Sequence, residues 1–234
     1  ERYELGRLSL NHIAAYYQRS GEDAQRNQWL RKAVELFQAL ANERYQDNAR
    51  AWPGLGDSLW KLGEHERAIE AYSRAIELHP KNASAWANRG QRYSQLAQFD
   101  KALEDLSRAI KLDDSDARAW LWRGDAGRLS GRHADAIQDY IRGLEMDPSN
   151  TWGWIHLGTS QWELGQRQEA LQTYTRALEQ LPNQPDIWIS RGLRHWQLRQ
   201  YEPAISDGNR AIELDAMVPY YWHVRGNANQ GAGL

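Results

Sequence analysis

Residues 117–150 read ARAWLWRGDAGRLSGRHADAIQDYIRGLEMDPSN, and this stretch decides the fold because it recurs. Trp120 stands four residues before Gly124. Ala136 follows the tryptophan by sixteen, and another small residue, Gly143, comes seven later. Stepping outward by 34 residues in either direction finds the same arrangement. The tryptophans are Trp52, Trp86, Trp120, Trp154, Trp188 and Trp222, and the glycines are Gly56, Gly90, Gly124, Gly158, Gly192 and Gly226. The alanines are Ala68, Ala102, Ala136, Ala170 and Ala204, followed by Ala75, Ala109, Gly143, Ala177 and Ala211. A fixed period of this length marks stacked supersecondary units, none of which buries its apolar face alone.

The spacing within one period is helical. Tryptophan and glycine at i and i+4 share a face, and small residues let two helix axes approach closely. Each period therefore predicts two antiparallel helices, with the six tryptophans buried beside glycine crossings. Leu62-Gly63-Glu64 and Leu164-Gly165-Gln166 supply turns inside the hairpins, and Pro80, Asp114, Pro148 and Pro182 separate one hairpin from the next. Asn48, Asn82, Asp116 and Asn150 are placed as N-caps of the first helices. At Gln184 and Val218, where that cap is missing, Pro185 and Pro219 follow as first-turn residues.

Composition agrees with a folded, stacked chain. Of 234 residues, 41% are hydrophobic and 26% charged, which supports a core and argues against disorder. A net charge of −2 gives no electrostatic footprint for nucleic acid. The absence of cysteine removes disulfides, thiolate zinc sites and cysteine nucleophiles. No apolar run is long enough to span a bilayer, so membrane insertion is not expected. The N-terminal Glu1-Arg2-Tyr3-Glu4 lacks both a signal peptide and an initiator methionine, which reads as an excised or processed piece. The compartment stays open, with the cytoplasm favoured.

The pattern Trp52, Leu55, Gly56, Ala68, Tyr72, Ala75 and Pro80 resembles the tetratricopeptide repeat (TPR). The resemblance implies an all-α, right-handed α-solenoid of tandem 34-residue helix-turn-helix repeats. Five repeats span 49–82, 83–116, 117–150, 151–184 and 185–218. Residues 219–234 form the first helix of a truncated sixth repeat. Residues 1–48 read as a degenerate N-terminal hairpin, with Leu10, Ile13, Ala14, Tyr17 and Gly21 on its first helix and Ala33, Phe37 and Leu40 on its second. Departures are Pro53 inside a first helix, Gly127 and His195 where tyrosine is usual, and Gly208 for an aromatic.

Internal copies also expose a covariation. Arginine precedes the repeat glycine at Arg89, Arg123 and Arg191, and only in those repeats does aspartate stand sixteen residues later, at Asp105, Asp139 and Asp207. Three structural ion pairs between the helices of one repeat follow. Arg225 has no such aspartate in the chain. The tripeptide Arg123-Gly124-Asp125 spells an integrin-binding motif, and Asn82-Ala83-Ser84 a glycosylation sequon. Both fall at positions that packing or capping already explains.

Signals for catalysis are weak. The seven histidines are scattered, the glycines occupy packing positions, and no phosphate loop or nucleophile elbow is present. No enzyme activity, cofactor or metal is expected. The TPR resemblance implies instead a concave groove lined by first helices that takes a protein or peptide segment. The groove residues it implies are Arg50, Asp57, Trp60, Lys61, Asn88, Gln91, Arg118, Trp122, Asp125, Arg128, Trp152, His156, Trp162, Trp196 and Tyr220. The carboxylate clamp of the chaperone-binding subclass is disfavoured: its positions hold Pro53, Asp57, Asn88, Arg118 and Trp122, of which only Asn88 matches, with Arg118 a partial substitute. A scaffold or adaptor module of a larger protein is the leading reading. The alternatives are the regulatory or targeting arm of a multidomain enzyme and a module that self-associates through its aromatic C-terminal end.

Overall fold

A computed structural model of the chain describes residues 23–42 and 51–234. The expected N-terminal first-helix positions Leu10, Ile13, Ala14, Tyr17 and Gly21, the cap Asn48 and the groove residue Arg50 lie outside the described residues. Among the described residues all regular structure is helical, in twelve helices. They are α1 (Asp23–Asn42), α2 (Ala51–Lys61), α3 (His65–Leu78), α4 (Ala83–Gln95), α5 (Phe99–Leu112), α6 (Ala117–Leu129), α7 (His133–Met146), α8 (Thr151–Glu163), α9 (Arg167–Gln180), α10 (Pro185–Gln197), α11 (Tyr201–Leu214) and α12 (Pro219–Ala232). The chain divides into two compact units, residues 1–113 and 114–234.

Both units are built from hairpins, each pairing a helix that carries a periodic tryptophan with the helix that follows. In the first unit, Ala33, Val34 and Phe37 of α1 pack with Ala51, Leu55 and Leu59 of α2 and with Ala68, Ala71 and Tyr72 of α3. In the second, Leu121 and Leu157 enclose Ala136, Ile137 and Tyr140 of α7. Ala170, Tyr174 and Ala177 of α9 pack between Ile155 and Ile187. The glycine crossing lets each ring in. At Gly158 a single added Cβ would stand 2.6 Å from Cζ of Tyr174, so the ring lies flat on bare helix backbone.

Helix starts follow the sequence. The Asn82, Asp116 and Asn150 side chains accept from the backbone N–H of Ala85, Arg118 and Gly153 at 3.2, 3.0 and 2.8 Å. Pro185 and Pro219 open α10 and α12 without a side-chain cap. The turn inside each hairpin needs a left-handed residue. Gly63, Gly131 and Gly165 adopt it at φ 84°, 80° and 77°, but Ala97 and Arg199 stand at the equivalent place with φ 57° and 59°. Glycine is therefore the better fit at the turn, yet two repeats do without it.

One expectation is corrected. The periodic tryptophans are not buried: Trp52, Trp86, Trp120, Trp154 and Trp188 are half-buried, and Trp222 is exposed. For five of the six the reason is polar, whereas Trp52 Nε1 is buried without a hydrogen-bond partner. Indole Nε1 of Trp86, Trp120, Trp154, Trp188 and Trp222 donates to the carbonyl six residues back, at Pro80, Asp114, Pro148, Pro182 and Ala216, across 2.8–3.0 Å. Each ring thus fastens the turn between hairpins, with its N–H end facing the surface.

Candidate interaction surface

The first helices are held by a composite tie centred on arginine. Nε and Nη2 of Arg89 donate to both carboxylate oxygens of Asp105 at 2.7 and 2.9 Å. Arg123 does the same to Asp139 at 2.9 and 2.6 Å, and Arg191 to Asp207 at 2.9 and 2.7 Å. The guanidinium carbon of each lies 5.0 Å from its own repeat's periodic tryptophan ring, a cation–π distance. A third arm reaches backward, from Arg89 Nη1 to Ser73 Oγ at 2.9 Å and from Arg191 Nη1 to Thr175 Oγ1 at 3.1 Å. The three aspartates are buried at 3–5% exposure. Burial pushes the Asp105 and Asp139 carboxyls above their ordinary range, and the arginine hydrogen bonds pull the other way.

In the 114–234 unit, α6 touches α8, α8 touches α10 and α10 touches α12, whereas among the described residues no second helix meets the next to that extent. The first helices of this unit therefore lie on the inside of its curve. Of the nine expected groove residues on these four helices, Arg118, Trp152 and Tyr220 are exposed and Trp122, Asp125, Arg128, His156, Trp162 and Trp196 are half-buried.

Asp125 accepts from the Tyr140 hydroxyl at 2.7 Å and lies 2.7 Å from His156 Nδ1. The Tyr140 hydroxyl also accepts from Arg128 Nε at 3.3 Å. The His156 ring stands 5.9 Å from that of Trp152, which is 60% exposed. Arg118 folds back on Asp116 through two bonds of 3.0 and 2.8 Å and covers Trp122 at 5.5 Å.

The other tryptophans are less open than a row of groove anchors requires. Trp162 is half-buried, with Arg194 at 5.0 Å and Arg167 at 5.5 Å from its ring. Trp196 is also half-buried, and Tyr220 is exposed. In the 1–113 unit, Trp60 packs against the His65 ring at 4.2 Å and beneath Arg92 at 5.1 Å. Asp57 accepts from the Tyr72 hydroxyl and from Arg92 Nη2, the latter at 3.3 Å. Lys61 is exposed, and Asn88 and Gln91 are half-buried. An occupied carboxylate at Asp57 stands where the chaperone-type clamp needs a basic or amide group, in keeping with the mismatch in sequence.

Sequence reasoning missed this second series. Tyrosine meets a polar partner fifteen residues earlier in three repeats: Tyr72 with Asp57, Tyr140 with Asp125, and Tyr174 with Thr159 at 3.3 Å. Where Leu106 or Gly208 replaces tyrosine, Gln91 and Leu193 stand at the partner position. The same comparison of internal copies that found the arginine pairs would have found it. Burial, and then the adjacent carboxylates, raise the Tyr72 and Tyr140 phenols far above their ordinary value. Both remain neutral donors.

A cleft of about 680 Å³ lies elsewhere in the 114–234 unit, along α9 and the turn after α10, lined by Arg167, Leu171, Arg176, His195 and Leu198 among others. None of the expected groove residues lines it. Among the described residues no cluster of histidine and carboxylate groups is fit to hold a metal, and no helix is long and apolar enough to cross a membrane.

Three family models of the tetratricopeptide repeat match residues 56–96, 87–151 and 128–192. The chain belongs to the tetratricopeptide repeat family. TPR arrays serve protein–protein interaction, and this chain is a module of that kind, a helical solenoid of tandem repeats. Among solved structures, YrrB, described as a TPR protein with an unusual peptide-binding site, is similar at 21% identity and a TM-score of 0.66, over 82% of this chain and 99% of that one. A TPR protein from Parabacteroides merdae ATCC 43184 is similar at 18% identity and a TM-score of 0.68, over 97% and 87%. MamA is similar at 21% identity and 0.64, over 72% and 92%. At these identities the likeness is one of fold. No curated protein matches the chain.

Proposed function

We propose that this TPR module holds an extended segment of a partner protein along the inner helices α6, α8, α10 and α12. The reading divides the chain into a degenerate hairpin at 1–48, five repeats over 49–218 and the opening helix of a sixth at 219–234. The observation that carries it is Trp152, 60% exposed on a helix whose own tryptophan is otherwise tied down. Beside it His156 is fixed by Asp125 at 2.7 Å, so the indole projects from a preorganised base. A large aromatic exposed on a rigid element has the character of an interface anchor. YrrB, with its peptide-binding site, supports the same reading by analogy of fold.

Neighbouring first helices packed about 10 Å apart give a track of roughly 30 Å over these four, enough for about nine extended residues. Arg118 and Arg128 favour acidic residues at one end of the segment. Trp152, Trp196 and Tyr220 favour apolar or aromatic ones beyond. Arrays of short peptides with that polarity, screened against the chain, would supply a binder. Trp152→Ala should then weaken it by about 2 kcal/mol, mostly through faster release. A folded Trp152→Ala protein that binds every recovered peptide as the parent does would overturn the reading.

A further inference from the structure

On four of the second helices an arginine stands three residues before a glutamate at the same repeat position: Arg74 and Glu77, Arg142 and Glu145, Arg176 and Glu179, Arg210 and Glu213. Three of these pairs close on themselves, at 2.7, 2.8 and 2.9 Å. The fourth does not. Among the described residues no ion pair or side-chain hydrogen bond engages Arg176 or Glu179, and both line the cleft of about 680 Å³ along α9. Its walls belong to two complete hairpins, α8 with α9 and α10 with α11, so the opening is internal to the stack.

A second cation borders the same cleft. The Arg167 guanidinium carbon lies 5.5 Å from the Trp162 ring, and among the described residues no carboxylate pairs with it. Stacking on the indole steadies the side chain and leaves its N–H donors unspent. An amide oxygen only accepts, so His195 Nδ1 donates to Gln200 Oε1 at 2.7 Å and the ring is held at the cleft wall. Half-buried Leu171 and Leu198 supply an apolar surface between the charges. The lining thus sets two unpaired arginines against the one carboxylate of Glu179.

We propose that this cleft takes an extended acidic segment of a partner protein with the pattern Glu-x-Leu-x-Glu. Arg167 and Arg176 stand nine residues apart on α9, about 13 Å along the axis at roughly 1.5 Å per residue. In an extended chain, residues i and i+4 are also about 13 Å apart, and with i+2 they point to one side. One face of the segment therefore presents a carboxylate to each arginine, in charge-assisted bonds, and leucine to Leu171 and Leu198. A helical segment does not fit, since its i and i+4 residues rise only about 6 Å. Gln168 and Gln172, exposed one turn apart, offer amides to the backbone of the segment. Glu179, close beyond Arg176, repels a third acid and so limits the acidic run. None of the expected groove residues lines the cleft, and the site does not depend on the inner-helix track.

The test uses the full chain and the end-capped peptide Glu-Ser-Leu-Ser-Glu, labelled for fluorescence anisotropy. The expected result is saturable one-to-one binding. Arg167→Gln and Arg176→Gln should each weaken it about tenfold or more, and Glu179→Gln should tighten it about twofold or more. Trp152→Ala, which disables the inner track, should not affect it. All four side chains are exposed, and circular dichroism checks that the variants fold. Absence of saturable binding overturns the proposal, as does equal binding of the peptide Gln-Ser-Leu-Ser-Gln. Loss of binding in Trp152→Ala rather than in the arginine variants also overturns it, because the peptide then occupies the inner track. So does displacement by inorganic phosphate as effective as by unlabelled peptide, because the cleft is then a site for small anions.

Discussion

The Tyr140 hydroxyl donates to the Asp125 carboxylate across 2.7 Å, and the pair joins α7 to α6 at the base of the surface that carries His156 and Trp152. It is one member of a series that includes Tyr72 and Asp57. Because the folded protein holds these phenols far above their ordinary value, the sign of their pH dependence is fixed. Their contribution to stability is whole below the unfolded tyrosine value of about 10 and is lost as pH rises beyond it. In an alkaline titration followed by tyrosinate absorbance, Tyr72 and Tyr140 should ionise only together with loss of helical signal. Tyr140→Phe should remove one phenol from that unfolding-linked step. Equal titration of all tyrosines in the folded state would contradict the assignment.

The arginine ties behave differently under single and double replacement. Asp139→Asn leaves a half-buried guanidinium with a broken fork and should cost about 3–5 kcal/mol. Replacing Arg123 and Asp139 together by methionine and leucine should restore much of the loss, because both desolvation costs disappear. Urea unfolding of the parent, Arg123→Met, Asp139→Leu and the double variant closes the cycle and measures the coupling. Additive effects would mean that the two side chains do not act as a pair.

Two glycines at the same repeat position should respond oppositely to one methyl group. Gly158→Ala drives a Cβ into Tyr174 and should cost about 1–3 kcal/mol. Gly226→Ala meets nothing within 4 Å and should gain up to about 1 kcal/mol from helix propensity. Thermal melts of the two variants make the comparison, and equal shifts would refute it.

The hairpin turns offer a route to stabilisation. Ala97 and Arg199 hold a left-handed backbone at φ 57° and 59°, a conformation that costs an ordinary L-residue about 1–2 kcal/mol. Part of any gain is offset by glycine's greater freedom in the unfolded chain. Ala97→Gly and Arg199→Gly should each raise stability by about 0.5–1 kcal/mol. Gly131→Ala should lower it. A destabilised Ala97→Gly variant would show that another contact compensates the strain.

The hairpin fold was legible because the period is carried by residues whose size decides packing: Gly158 admits Tyr174 and nothing larger than hydrogen fits between them. The Arg89–Asp105 pair was legible because Leu157 and Thr173 replace both members together. The exposure of the tryptophans was not. A position that recurs every 34 residues reads as core, but Trp86 spends its N–H on the Pro80 carbonyl and so keeps one edge at the surface. Trp162 was equally opaque as a groove anchor, since its cover comes from Arg194, 32 residues away in the next repeat. Among the described residues the His156–Asp125 pair has no copy, and without a second instance periodicity cannot announce it.

The bond from five of the periodic indoles to the carbonyl six residues behind each also bears on how the chain folds. It closes a very short loop, on the scale of the tens of nanoseconds needed for a ten-residue segment to meet itself. The junction between two hairpins can thus be fastened before either hairpin has found its neighbour. The arginine forks close sixteen residues ahead, and the Tyr221 hydroxyl reaches Asp186 only 35 residues back. With such contacts in charge, folding belongs to the fast, locally driven regime of microseconds to milliseconds. It can begin in any repeat and spread to the next without waiting for the termini to meet.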